Sequence, residues 1–261
     1  MMRIVRFIKG EDSIYGIVEG EDVVELSGSI FGAYEKTENR YKLSDLELDI
    51  PVEPRTFYAA GLNYQTHKEK MATAIGMKAS VPDAPDIGYR ANNALTPHKS
   101  PVIIPSDATD KVNYEGELVV VIGKKVKHLT AENAMDAIFG YTIGNDISER
   151  NWQKSDGSMW RSKNTDTFKP MGPWIETDVS LEDMTTIVRL NGEEQIRFAT
   201  NDMITGIVPF LVRMTKYLTL YPGDVIWMGT EGEAPNLLDG DVVEVEITGI
   251  GSLRNPIIRE G

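Results

Sequence analysis

The chain reads as α/β, mixed and β-rich, with a small N-terminal β domain ahead of a larger mixed one. Three observations predict this. Short apolar runs bounded by glycine turns recur along the chain. One of them, Tyr114-Glu-Gly-Glu-Leu-Val-Val-Val-Ile122, is apolar on both faces beyond Leu118, the pattern of a strand covered on both sides. Amphipathic helical patterning is confined to a few segments, of which Asp202 to Leu220 is the longest.

Ile4, Val5, Phe7 and Ile8 mark the first strand. Ser13–Val18 and Val23–Leu26 are two more, joined by the turn Glu19-Gly-Glu-Asp22, and a polar stretch, Tyr34 to Tyr41, follows. The closely spaced prolines of Asp49-Ile-Pro-Val-Glu-Pro54 stop regular structure and read as a linker. The division is therefore 1–50 for the small β-rich domain and 55–261 for the larger one. In the latter, Phe57–Gly61 is a strand ending in a glycine turn, Gln65 to Ile75 a short helix, and Gly76 to Ile87 a loop with Pro82 and Pro85. Thr130 is a good cap for a helix over Ala131–Phe139, after which Gly140–Asp146 returns as a strand. Leu181–Glu194 and Val242–Ile250 carry strand patterns with glycine turns.

Composition narrows function. With 40 acidic against 27 basic residues, a net charge of −13 repels nucleic-acid backbones and anionic lipid, so neither is an expected partner. No apolar stretch is long enough to span a bilayer, and the N-terminal segment alternates too regularly and is charged too often for a signal peptide. The absence of cysteine excludes disulfides, thiolate nucleophiles and sulfur-bound zinc. A cytoplasmic location is expected. Only His67, His98 and His128 could supply imidazole, so any metal site must be built mainly from carboxylates.

Glu115 and Glu117 lie on one strand face, because side chains two apart point the same way. Such pairs most often sit on a wet face. Here the strand they open is apolar on both sides, and two carboxylates held together there raise each other's pKa unless a cation neutralises them. A hard divalent cation with oxygen ligands answers that need. Asp146, at the end of the strand after the Ala131–Phe139 helix, is the natural third ligand: a strand–helix–strand unit returns the chain beside its starting strand. Three carboxylates plus water suit magnesium or manganese, and calcium less well.

Other segments add candidate chemistry. In Gly61-Leu-Asn-Tyr-Gln-Thr-His67 a histidine follows a strand-to-helix turn, well placed as a base, with Glu69 able to orient it. Lys163 opens a shaped loop rich in Gly, Pro and aromatics. The strand after Pro222-Gly223 ends at the glycine-bracketed Thr230, where backbone amides can bind a carboxylate. There is no Gly-x-Ser-x-Gly elbow, P-loop or His-Glu-x-x-His helix.

The ordered set Gly61-Leu-Asn-Tyr…His67, Tyr114-Glu-Gly-Glu-Leu, Gly140-Tyr-Thr-Ile-Gly-Asn-Asp146…Arg150…Gln153, Lys163…Asp166-Thr-Phe…Met-Gly-Pro-Trp174, Asn191-Gly192 and Pro222-Gly-Asp-Val-Ile…Gly229-Thr230 resembles the fumarylacetoacetate hydrolase family from about Phe57 to the C-terminus. The small N-terminal unit is similar to the one that precedes this domain in many bacterial and archaeal members. The resemblance implies a mixed β-roll, a magnesium or manganese site and a homodimer. It implies action on a small anionic oxo or diketo acid through a metal-bound enolate. C–C hydrolysis of an acylpyruvate-type substrate is the expected reaction, with oxaloacetate-type decarboxylation or 2-hydroxyhepta-2,4-diene-1,7-dioate-type isomerisation as the alternative. A non-catalytic metal-binding interaction protein is the alternative of another class. By the same resemblance Glu115, Glu117 and Asp146 are the metal ligands. His67 is the water-activating base, Lys163 holds the developing enolate, and Arg150, Gln153 and Thr230 bind substrate. Arg90 falls where many members carry a lysine. The hydrolase pattern also places a glutamate three residues after the histidine, where this chain has Lys70; its glutamate is Glu69.

Overall fold

A computed structural model of the chain describes residues 2–64 and 85–261. The strands are β1 (Arg3–Lys9), β2 (Asp12–Glu19), β3 (Asp22–Gly28), β4 (Tyr34–Lys42), β5 (Phe57–Ala60), β6 (Ile87–Tyr89), β7 (Leu95–Thr96), β8 (Val102–Ile104), β9 (Val112–Asn113), β10 (Gly116–Ile122), β11 (Ile138–Asn145) and β12 (Ser148–Glu149). Two short helices follow, α1 (Arg150–Ser155) and α2 (Trp160–Asn164). Then come β13 (Lys169–Glu176), β14 (Thr185–Leu190), β15 (Glu193–Ala199), α3 (Ile207–Tyr217), β16 (Val225–Trp227), β17 (Val242–Ile247) and β18 (Gly251–Arg259).

Among the described residues, eleven strands form one sheet in the order β4-β3-β2-β1-β13-β11-β10-β16-β5-β6, with β7 beside β13. A second sheet runs β15-β14-β17-β18-β8, and β12 pairs β9. Strand β10 is central and every residue of it is buried. Leu118, Val120 and Ile122 point into a core shared with Val188, Val243 and Val245 of the second sheet and Phe210 and Met214 of α3. Val119 and Val121 point into another core with Phe57, Trp227 and Met171. The two sheets close tightly at Gly116, where an added Cβ would lie 2.9 Å from Val188 and Val245 side chains. Helix α3 buries Ile207, Phe210, Leu211 and Met214, one stripe at helical spacing, and is shorter than the segment Asp202–Leu220 suggests.

The N-terminal strands continue the large sheet. β1 pairs antiparallel with β13 at Arg3↔Glu176 and Ile4↔Ile175. Arg3 Nε lies 3.0 Å from Glu176 Oε2, and its guanidinium sits 5.1 Å from the Trp174 ring centroid. The polar stretch Tyr34–Tyr41 is itself a strand. It pairs with β3 at the end of the sheet path, and its charges face solvent: Lys36 and Arg40 reach Glu19 at 2.6 and 2.9 Å. A charged edge strand discourages further pairing.

The helix expected over Ala131–Phe139 is not formed. That segment is a turn and one 3-10 turn, Met135–Ala137, and β11 already begins at Ile138. Thr130 accepts the Ala134 N–H through its carbonyl, and its own N–H goes to Asn133 Oδ1. The physical reason is strand direction. β10 and β11 pair antiparallel, so the chain needs only a short return and no helical crossover. The helix expected at Gln65–Ile75 lies outside the described residues, as does most of the loop Gly76–Ile87, of which Ile87 opens β6.

Candidate active site

Antiparallel pairing brings the three carboxylates together. Gly116 faces Asn145, so Glu115 and Asp146 meet just beyond the ends of β10 and β11. The Asp146 N–H donates to Glu115 O at 2.8 Å, and the Glu115 N–H donates to Asn145 Oδ1 at 3.0 Å. Glu117, two residues on, shares the Glu115 face. Glu115, Glu117 and Asp146 are all buried, and each offers one oxygen within 4.8 Å of the others. They open into a cavity of about 220 Å³ whose walls include Leu62, Arg90, Gln153, Met159, Lys163 and Thr230.

Cations surround this acidic cluster. Lys163 Nζ lies 2.7 Å from Glu115 Oε2 and 3.0 Å from Asp146 Oδ2. Arg90 reaches Asp146 Oδ2 at 2.9 Å, and Arg150 reaches Glu115 Oε1 at 2.7 Å. Arg150 also donates to Gln153 Oε1 and Asn113 Oδ1, which fixes its fork. Lys169 Nζ lies 2.7 Å from Asp146 Oδ1. Glu117 Oε2 accepts the Gly229 N–H at 2.8 Å. Gly229 is held in turn: Asn63 donates to Met228 O at 2.8 Å and accepts the Thr205 N–H at 2.9 Å.

Electrostatics separate the carboxylates. Burial, with repulsion from Asp146 and Glu115, pushes the Glu117 carboxyl up to about 8, against the pull of Lys163 and the Gly229 N–H. Burial would raise Asp146 too, but Arg90, Lys163 and Lys169 outweigh it and hold this carboxyl well below the usual range. Burial pushes the Lys169 ammonium down to about 7, Asp146 opposing and Lys163 and Arg90 adding repulsion. The donor set fits a hard divalent cation: three carboxylates converge, and such an ion would keep Glu117 ionised where burial disfavours its charge.

Of the predicted site residues, Glu115, Glu117, Asp146, Lys163, Arg90, Gln153 and Thr230 line one cavity, and Arg150 stands behind Glu115. His67 and Glu69 lie outside the described residues. Sequence reasoning missed Lys169. Its signal was a lysine inside the strand-like run Phe168-Lys-Pro-Met171, which can be buried only with an anionic partner. It also missed Leu62, Asp86 and Met159 in the cavity wall. A separate hollow of about 270 Å³ on the other face of β10, behind Leu118, is walled by apolar groups including Met135, Met184 and Met203, and holds none of the predicted residues.

Residues 56–258 match the fumarylacetoacetate (FAA) hydrolase C-terminal family, and residues 2–51 match the family described as Rv2993c-like, N-terminal. The chain belongs to the fumarylacetoacetate hydrolase family. This family member is 35% identical over 272 residues to Protein Rv2993c of Mycobacterium tuberculosis, spanning 100% of this chain and 99% of that one. It is 34% identical over 229 residues to the oxaloacetate tautomerase YisK of Bacillus subtilis, covering 83% of this chain and 75% of the relative. The crystal structure of 2-hydroxyhepta-2,4-diene-1,7-dioate isomerase from Mycobacterium marinum superposes with a TM-score of 0.89 at 34% identity, covering 100% of both chains. The mixed, sheet-rich α/β fold is therefore that of the family, and relatives of this member are named as enzymes. Among the described residues, no helix is long and apolar enough to cross a membrane.

Proposed function

We propose that this fumarylacetoacetate hydrolase family member is a divalent-metal-dependent enzyme acting on a small anionic 2-oxo acid through an enolate. The observation that carries the reading is the contact of Lys163 with both Glu115 and Asp146 at the wall of the cavity. A bound magnesium or manganese ion would act there as a Lewis acid, polarising a carbonyl of the substrate. The chain's own residues do the rest. Lys163 supplies positive charge where the enolate oxygen gathers negative charge, and with the lysine buried such a preorganised charge is worth far more than in bulk water. Arg90 offers a planar fork to a carboxylate of the substrate, Gln153 and Thr230 orient its polar atoms, and Arg150 adds positive charge from behind Glu115. His67 is the base that takes the proton from the carbon beside the carbonyl.

The reaction in best accord with these parts is proton transfer at that carbon, a keto–enol tautomerisation or double-bond isomerisation of an oxo dioate. Two considerations support it: the names of the tautomerase and isomerase relatives, and Lys70 at the position of the glutamate that completes a water-activating pair in the hydrolase pattern. C–C hydrolysis of an acylpyruvate-type acid is the second reading. It needs the same enolate and adds an attacking water at His67, and the ordered motif around that histidine favours it. Cleavage or proton transfer belongs to residues 55–261, which contain every predicted site residue, with 1–50 as a supporting β domain. A homodimer and a cytoplasmic location complete this reading.

The test is to load the protein with magnesium and offer freshly dissolved enol-oxaloacetate, with acetylpyruvate in parallel, beside Glu117→Ala. Accelerated ketonisation without pyruvate, lost in the variant, establishes tautomerisation. Acetate and pyruvate from acetylpyruvate establish hydrolysis instead, and pyruvate from oxaloacetate above the free-metal background establishes decarboxylation. Bound metal with no turnover of either acid overturns the assignment to these substrates.

A further inference from the structure

Lys169 is used by none of the steps above, yet among the described residues it is the most deeply buried charge at the site. Its side chain is 0% exposed, it is absent from the cavity wall, and it meets the Asp146 oxygen other than the one that Arg90 and Lys163 contact. The ammonium donates to Ile147 O at 2.7 Å and Phe168 O at 2.9 Å, and it lies 2.7 Å from Asp146 Oδ1 as an ion pair. Both acceptors are backbone carbonyls, so the head group cannot wander without leaving them unpaired. Asp146 in turn divides its oxygens. Oδ2 meets Arg90 and Lys163, both of which line the cavity, while among the cations of the described residues Oδ1 meets Lys169 alone. Three cations therefore converge on one carboxylate, which is more than charge balance requires. Burying a further ammonium there costs several kcal/mol unless its geometry is well satisfied.

The geometry points to Lys169 as a positioning residue that pins Asp146 Oδ1 from behind, so that Oδ2 stays presented to the cavity for a divalent cation whichever partner Arg90 and Lys163 adopt. It does not line the cavity and acts only through Asp146. The inference rests on the metal-binding part of the proposed function, and is independent of which reaction follows. Outer partners of this kind typically change metal affinity 10- to 100-fold when removed.

The experiment measures Mn2+ affinity by electron paramagnetic resonance titration, without substrate, on the whole protein and on Lys169→Met, Asp146→Asn and the double variant. Lys169→Met is expected to weaken Mn2+ binding at least about tenfold, and to alter the zero-field splitting of the bound ion. In the Asp146→Asn background, the same substitution is expected to change affinity less than about twofold, because its only route is gone. Should Lys169→Met not fold, Lys169→Gln takes its place in both backgrounds, with the same loss expected beside Asp146 and the same absence of effect beside Asp146→Asn. Unchanged affinity and spectrum in a folded Lys169→Met overturn the role. So does a tenfold loss that persists without Asp146. If the wild-type protein binds no Mn2+, the metal reading itself falls and Lys169 has nothing to position.

Discussion

Lys163 Nζ sits 2.7 Å from Glu115 Oε2, across a separation of 48 residues in sequence. The pair joins α2, which carries the lysine, to the residue just before β10. With Asp146 also in reach, Lys163 is, among the described residues, the one cation in the cavity wall that touches two of the three acids. Lys163→Met is expected to lower kcat by about 10²–10³-fold while KM moves far less, as loss of a preorganised charge acts on the transition state. Steady-state kinetics on the substrate found active would check it, and a fall below tenfold would remove Lys163 from the chemistry.

Glu117 carries a pH signature. Its folded carboxyl titrates near 8 against an ordinary value of 4.5. The folded state thus holds a proton that the unfolded chain has given up. In the metal-free protein this stabilisation is complete below pH 4.5 and is lost as pH rises through 8. Glu117→Gln keeps the shape and the Gly229 hydrogen bond but cannot ionise. Urea unfolding of the two metal-free proteins should show the wild type losing stability across that window and the variant not. Mn2+ affinity of the variant should fall on the order of 100-fold.

His98 gives the opposite sign. Its Nδ1 accepts the Arg254 N–H at 3.1 Å, which requires a neutral ring. Burial, with Lys99 and Arg254 nearby, pushes its pKa from 6.5 down to about 4. This contribution to stability is present above pH 6.5 and is lost as pH falls through 4. Partial exposure of the ring screens the effect to about 1–2 kcal/mol. His98→Gln should flatten the stability profile between those limits, and parallel profiles would contradict the assignment.

Gly144 tests the packing behind the site. A Cβ there would lie 2.7–2.8 Å from three atoms of the Trp227 ring, which is fully buried. Trp227 leads directly into Met228 and Gly229, whose N–H holds Glu117. Gly144→Ala should cost about 1–3 kcal/mol in urea unfolding and lower metal affinity as well. Unchanged stability would mean that the ring has room to yield.

Much of the site was legible from local pattern. Alternation placed Glu115 and Glu117 on one face because a strand has a period of two whatever surrounds it. The apolar run from Leu118 to Ile122 announced a strand buried on both sides, and the missing cysteines and scarce histidines left carboxylates as the metal donors. Direction and depth were decided only in three dimensions. Asp146 reaches Glu115 through an antiparallel return, where the composition of Ala131–Phe139 suggested a helical crossover, because sheet pairing outweighs weak helix propensity. The polar Tyr34–Lys42 becomes an edge strand because β3 offers it a ladder. Lys169 becomes part of the site because β13 runs beside β11 and carries it under Asp146. A local pattern records which face a residue takes. Which distant charge it meets depends on strand order, and no short-range signal encodes that.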